Sequence, residues 1–211
     1  MTMEVIDLKS CDFLSVLQLQ EEILQKKINT PNHPEILILH SPTAPVITIG
    51  RSGGGRRNIL VPFSVLENYN IKVYEVDRGG DVTLHYPGQL VVYFVVDLKN
   101  YIKDVHWYLG TLEEIGIELL HFCGLCGGRS SLGRGVWIGE KKVIFIGIGV
   151  RRWVAFHGMA VNVLDDNGYF SLIKPCGIDN CKVSSINKEK GDFAIKDVSE
   201  RLVEIARRKF S

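Results

Sequence analysis

Residues 89–98, QLVVYFVVDL, are apolar at every position except the first and the ninth. A run of this length, rich in β-branched and aromatic residues, is the pattern of a strand buried on both faces, so other elements must cover it above and below. Shorter runs of the same kind flank it. Val5 and Ile6, Ile36–Leu39, Val46–Ile49, Val73–Val76, Val136–Ile138, Lys142–Val150 and Met159–Val163 read as further strands, the second and third of these joined by a turn at the prolines between them. Helical spacing marks about Asp12 to Lys27, a short segment from Pro62 to Tyr69, Trp107 to Leu120 before Gly124, and Asp197 to Arg208. Gly53–Gly55 and Arg78–Gly88 read as loops. This irregular interleaving predicts an α/β (α+β) fold, a mixed β-sheet flanked by helices, over a regular parallel barrel.

The chain has 211 residues, 45% of them hydrophobic, which suits one core and a single domain over residues 1–211. Neither a leader-like basic start with an apolar run nor an uncharged apolar stretch near the roughly 18 residues of a membrane span is present in it, so a soluble, cytoplasmic protein is expected. A net charge of +1 gives no reason to expect nucleic acid. Five cysteines, an odd number in a chain large enough to fold without crosslinks, read as reduced thiols. Cys123 and Cys126 form CGLC, but two ligands do not complete a tetrahedral zinc site, so no metal is expected.

Four segments carry the polar chemistry. RGGDVTLHYPGQ, residues 78–89, combines Gly79 and Gly80 with Arg78 and His85, and it matches neither the phosphate loop nor the dinucleotide fingerprint. GEKKVIFIGIGVRRW, residues 139–153, places Lys142 at the start of an apolar strand, where a lysine is ordinarily a solvated edge residue. In RWVAFHGMAVNV, residues 152–163, His157 and Gly158 interrupt two apolar runs, and a lone histidine there is more often hydrogen-bonded structure than catalyst. IKPCGI, residues 173–178, sets Cys176 between a proline that fixes the approach and a glycine that permits an unusual backbone angle. An ordinary thiol, with a pKa of about 8.5, is only a few per cent ionised at neutral pH, so a nucleophilic cysteine needs a cation or a base. Lys142, His85 and His157 are the candidates.

Taken together, in this order and with these separations, the four segments resemble the lipoyl(octanoyl) transferase family, the protein N-octanoyltransferases of lipoate biosynthesis. The likeness runs from ILILHSPTAPVITIGR at 36–51 to VSSI at 183–186. It implies the fold of the biotin and lipoate protein ligase catalytic domain, and transfer of an octanoyl group from octanoyl-acyl carrier protein to a lysine of a lipoyl domain, with no cofactor. The acceptors implied are the lipoyl domains of 2-oxoacid dehydrogenase E2 subunits and the glycine cleavage H protein, and the enzyme is expected to be a monomer. Cys176 matches the family's acyl-thioester nucleophile and Lys142 the lysine that favours its thiolate. Arg78, Gly79, Gly80, Asp81, Val82, Thr83, Leu84 and His85 match its acyl-binding loop. Phe145, Ile146 and Gly147, and then Gly158, Met159 and Ala160, match two further substrate-binding segments. Backbone donors near Gly147 or Gly177 are candidates for an oxyanion site. Leu84, Tyr86 and Ile47 depart from the usual aromatic, glycine and tyrosine, which bears on the shape of the loop and acyl pocket. The rival readings are an ATP-dependent lipoate ligase or a lipoyl amidotransferase of the same fold, and a non-catalytic module that binds an acyl carrier.

Overall fold

The computed structural model describes residues 3–30 and 32–211. In chain order its elements are β1 (Met3–Cys11), α1 (Phe13–Asn29), β2 (Glu35–Pro42), β3 (Val46–Ile49), α2 (Phe63–Asn68), β4 (Lys72–Glu75), β5 (Val82–His85), β6 (Gln89–Asp97), α3 (Val105–Phe122), β7 (Gly128–Ser130), β8 (Gly133–Ile138), β9 (Lys141–Arg151), β10 (Val154–Asn162), β11 (Lys182–Val183), α4 (Ile186–Lys190) and α5 (Ile195–Lys209). The large sheet runs β1-β2-β6-β10-β9-β8-β7, with β11 added beside β9. It is mixed: β1 is parallel to β2 and β11 to β9, and the other pairs are antiparallel. A small sheet, β4-β3-β5, stands apart.

β6 lies inside the large sheet and is buried from Gln89 to Val96. Its residues part by alternation. Leu90, Val92, Phe94 and Val96 join a cluster with α3 and α5, while Val91, Tyr93 and Val95 join a second cluster with α1 and the small sheet. Each residue buried there removes apolar surface from water at about 25 cal/mol per Å2, and both faces contribute. Asp12 caps α1 through the Ser15 amide, and Asp104 caps α3 through His106 and Trp107. No helix among the described residues is long and apolar enough to cross a membrane.

Two differences from the sequence reading matter for the site. The strands at Ile36–Leu39 and Val46–Ile49 are not hairpin partners: residues 43–45 carry the chain from the large sheet to the small one. The stretch 78–88 is not all loop, because Val82–His85 is β5, antiparallel to β3. Its period is two: Val82 and Leu84 enter the hydrophobic cluster, and Thr83 and His85 face the gap between the sheets. The flanking glycines and the Tyr-Pro-Gly that follows disguise so short a strand.

Candidate active site

A cleft lies between the two sheets. The large sheet supplies a mainly apolar wall through Val91, Tyr93, Phe145, Ile146, Met159 and Ala160. The small sheet and the loop before β5 supply a polar wall through Thr48, Arg78, Asp81, Thr83 and His85. Phe13, at the start of α1, closes one side and stacks near His85, with ring centroids 6.2 Å apart.

Cys176 enters this cleft from a tight turn. Its φ and ψ are +57° and +17°, and Gly177 follows with φ +70°, so two successive residues take the left-handed conformation. For a residue with a Cβ this costs on the order of 1 kcal/mol, which the surrounding bonds must hold. They are present. The Gly177 amide donates to the Lys174 carbonyl at 3.0 Å, Ile178 to Pro175 at 3.0 Å, and Lys174 to Asn58 at 2.7 Å. A side chain at Gly177 would come within 2.7 Å of an Asp81 carboxylate oxygen, so the position requires glycine on two counts. Because that amide is committed to Lys174, Gly177 is a poor oxyanion donor.

Lys142 is 2% exposed, which contradicts the expectation of a solvated edge lysine. Its ammonium donates to Cys176 Sγ at 3.3 Å and lies 4.8 Å from the Phe145 ring centroid and 5.2 Å from that of Trp137. β11 and the segment after it cover the strand edge: Val183 pairs with Lys142, and the Ser184 amide donates to the Lys142 carbonyl at 3.0 Å. Two aromatic faces compensate part of the lost hydration without competing with sulfur as hydrogen-bond acceptors.

Asp81 works on the protein itself. Its carboxylate accepts from the amides of Gly54 at 2.9 Å, Gly55 at 3.0 Å and Val82 at 2.8 Å, and from the Asn58 side chain. It thereby ties the glycine loop at 53–55 and the Asn58 support of the cysteine turn to β5. Arg78 is buried, and its guanidinium donates to the carbonyl and hydroxyl of Thr48, both at 2.9 Å, and to the Gly79 carbonyl at 3.1 Å. Burial lowers its pKa, and the negative charge of a Cys176 thiolate opposes that. Gly147 and Gly158 face each other across β9 and β10, and a Cβ at Gly147 would crowd Arg78 Cδ at 3.0 Å.

His157 lies mid-strand with φ +58°; its amide donates to Gln20 Oε1 at 2.8 Å, its Nδ1 lies 3.3 Å from Gln20 Nε2, and burial lowers its pKa to about 3. It is a hydrogen-bonded part of the cleft floor. Of the residues expected to bind substrate, Arg78, Gly80, Asp81, Thr83, His85, Phe145, Ile146, Gly147, Gly158, Met159 and Ala160 line the cleft beside Cys176, whereas Gly79, Val82 and Leu84 lie outside the lining. Leu84 and Tyr86 are both fully buried in the second cluster, and the Tyr86 hydroxyl donates to the Leu164 carbonyl at 2.8 Å. Ile47 joins the same cluster. The departures at these three positions therefore repack the core behind the small sheet. Sequence reasoning missed Phe13, Thr48, Asn58 and Tyr93. Thr48 and Tyr93 had a signal, each carrying a hydroxyl between apolar neighbours in a strand. The CGLC cysteines lie elsewhere, Cys123 buried and Cys126 exposed, and the described residues contain no group of three metal-ligating side chains.

Residues 12–207 match the family described as the lipoyl protein ligase A/B catalytic domain. An octanoyltransferase of Caldanaerobacter subterraneus subsp. tengcongensis is 40% identical over 202 residues, covering 95% of this chain and 87% of that protein. One of Prochlorococcus marinus is 38% identical over 94% of this chain and 90% of its own length. Among solved structures, lipoate-protein ligase A bound with ATP superposes with a TM-score of 0.79 at 16% identity, covering 100% of this chain and 86% of that one. The bi-partite lipoate protein ligase of Thermoplasma acidophilum gives 0.79 at 18% identity over 100% and 84%. Biotin protein ligase from Aquifex aeolicus gives 0.60 at 14% identity over 98% and 69%. At those identities the structures speak for the fold, and the sequence relatives speak for the branch. The chain belongs to the lipoyl protein ligase A/B catalytic domain family and, within it, to the octanoyltransferases.

Proposed function

We propose that the protein transfers an octanoyl group from octanoyl-acyl carrier protein to a lysine of a lipoyl domain, through a thioester on Cys176. The observation that carries this reading is the Lys142 ammonium 3.3 Å from Cys176 Sγ at the edge of a largely apolar cleft. A buried cation beside sulfur favours the thiolate, the form that attacks. In the first half-reaction the thiolate forms a bond to the donor's thioester carbon, the donor's C–S bond breaks, and the carrier's thiol departs with a proton from solvent. One thioester replaces another, so the exchange is nearly balanced and needs no nucleotide. In the second, the acceptor lysine displaces Cys176 and forms an amide. Val91, Phe145, Met159 and Ala160 present apolar surface suited to the alkyl chain.

The acceptor class is supported from a second side, since the T. acidophilum ligase of the same fold was described with its E2 lipoyl domain. The glycine cleavage H protein belongs to the same class of acceptor. The ligase alternative would start from a free acid and ATP. Purified protein given a lipoyl domain should octanoylate it from octanoyl-acyl carrier protein without ATP. Transfer that occurs only from octanoic acid with ATP would overturn the assignment.

A further inference from the structure

Behind the polar wall of the cleft, a buried hydrogen-bonded series runs from His85, and the thioester chemistry leaves it unexplained. His85 Nδ1 lies 2.8 Å from Gln89 Oε1, Gln89 Nε2 donates to Asn162 Oδ1 at 2.8 Å, and Asn162 Nδ2 donates to the Ser184 carbonyl at 2.9 Å. Gln89 and Asn162 are fully buried and face each other in register across β6 and β10. The far end of the series sets its direction. A backbone carbonyl only accepts, so Asn162 must turn its amide nitrogen to Ser184 and its oxygen to Gln89. Gln89 must then turn its nitrogen to Asn162, and the Leu84 carbonyl at 3.4 Å holds the same nitrogen from another side. Its oxygen is left facing His85, so His85 Nδ1 carries the proton. Burial lowers the His85 pKa to about 4; the bond to Gln89 opposes this and the charge of Arg78 adds to it. The ring is therefore neutral at pH 7 with a bare Nε2. Among the described residues that nitrogen has only a long 3.5 Å contact to the Thr48 hydroxyl, and His85 lines the same cleft as Cys176.

We propose that His85 orients the attacking amine: an N–H of the acceptor lysine donates to Nε2, which turns the nitrogen lone pair towards the thioester carbon on Cys176. This rests on the Cys176 thioester reading above. The lysine reacts as the free amine. Its lone pair forms the C–N bond, the C–S bond breaks with its electron pair on Sγ, and the amine's surplus proton passes to that sulfur. An amide and a thiol result. His85 accepts a hydrogen bond throughout and keeps no proton, which suits an imidazole held neutral by burial. The Gln89–Asn162 series is the positioning device, because it fixes the tautomer without contact with substrate.

Long-range proton–nitrogen correlation spectra of 15N-histidine-labelled wild-type protein at pH 7 read the tautomer directly. The expected result for His85 is a protonated Nδ1 and a bare Nε2, and a protonated Nε2 would overturn the proposal. Octanoyl-enzyme is then formed and isolated, and its discharge by a lipoyl domain is followed by mass in wild type, His85→Leu and His85→Gln. Discharge in His85→Leu should fall at least about tenfold further than acyl-enzyme formation does. His85→Gln, whose amide oxygen can accept, should recover part of the loss. Equal slowing of both half-reactions, or an unchanged discharge, would overturn the orienting role and leave the thioester standing. No acyl-enzyme in the wild type would remove both.

Discussion

Two lysines are buried among the described residues, and they are buried differently. Lys27, in the last turn of α1, pairs with Glu35 at 2.9 Å and donates to the His33 carbonyl. Glu35 in turn accepts from the Asp97 amide at 3.0 Å and the Asn100 side chain at 3.1 Å. Charge meets charge there, and the remaining lone pairs are used, as a structural ion pair requires. Lys142 meets a thiol and two aromatic rings. In the proposed reaction that thiol is the group that becomes acylated, so the contact changes character during turnover. The same side chain is thus a strut in one place and, in the proposed reaction, a control of sulfur reactivity in the other, and the partner decides which.

Substitutions can break this contrast. Lys27→Ala strands the Glu35 carboxylate in the interior and should cost about 3–5 kcal/mol of unfolding free energy in urea, with the alkylation rate of Cys176 in the folded protein unchanged. If that rate falls as well, the two lysines are not separable. Acid sharpens the contrast from the opposite direction, because the interior also holds histidines that must stay uncharged. Burial is the chief cause that lowers His40 to about 3, His85 to about 4 and His157 to about 3. Below the ordinary value of about 6.5 the unfolded chain binds protons that these folded rings refuse. Their contribution is therefore complete above pH 6.5 and is lost from there down to about pH 3, by at most about 1.4 kcal/mol per histidine per pH unit. Urea midpoints that stay flat from pH 7 to pH 5 would contradict it.

Smaller effects follow at the cleft. Lys142→Ala should slow iodoacetamide labelling of Cys176 at pH 7 about tenfold, and Lys142→Arg, which keeps a cation, should lose less. Equal rates in wild type and both variants would show that the charge does not act on sulfur. Thr83, on the polar wall, has a buried hydroxyl without a hydrogen-bond partner among the described residues. Thr83→Val should therefore raise stability by about 1 kcal/mol, and a loss instead would mean that this hydroxyl supports the fold.

The fold was legible where a pattern was long. QLVVYFVVDL announced a strand covered on both sides, and α3 and α5 on one face with α1 and the small sheet on the other provide that cover. Short elements were not. β5 has four residues between glycines and a Tyr-Pro-Gly, and β11 has two. The site was legible as residue types and as a resemblance, since Pro175 and Gly177 marked the cysteine turn. Its depth was not. The burial of Lys142 depends on β11, which arrives 40 residues later in the chain. Asp81 lines the cleft as expected of a ligand-facing residue, but its bonds to Gly54, Gly55 and Asn58 were not legible, because only folding brings those groups together. Alternation along Val82–His85 could have separated residues that face the cleft from residues that face the core.

The thioester on Cys176 is the claim on which the rest depends. Intact-mass measurement after incubation with octanoyl-acyl carrier protein, followed by peptide mapping, addresses it directly. The account predicts one octanoyl group on Cys176, removed by hydroxylamine and absent from Cys176→Ser. An octanoyl group on another residue, or wild-type transfer to a lipoyl domain that persists in Cys176→Ser, would contradict it.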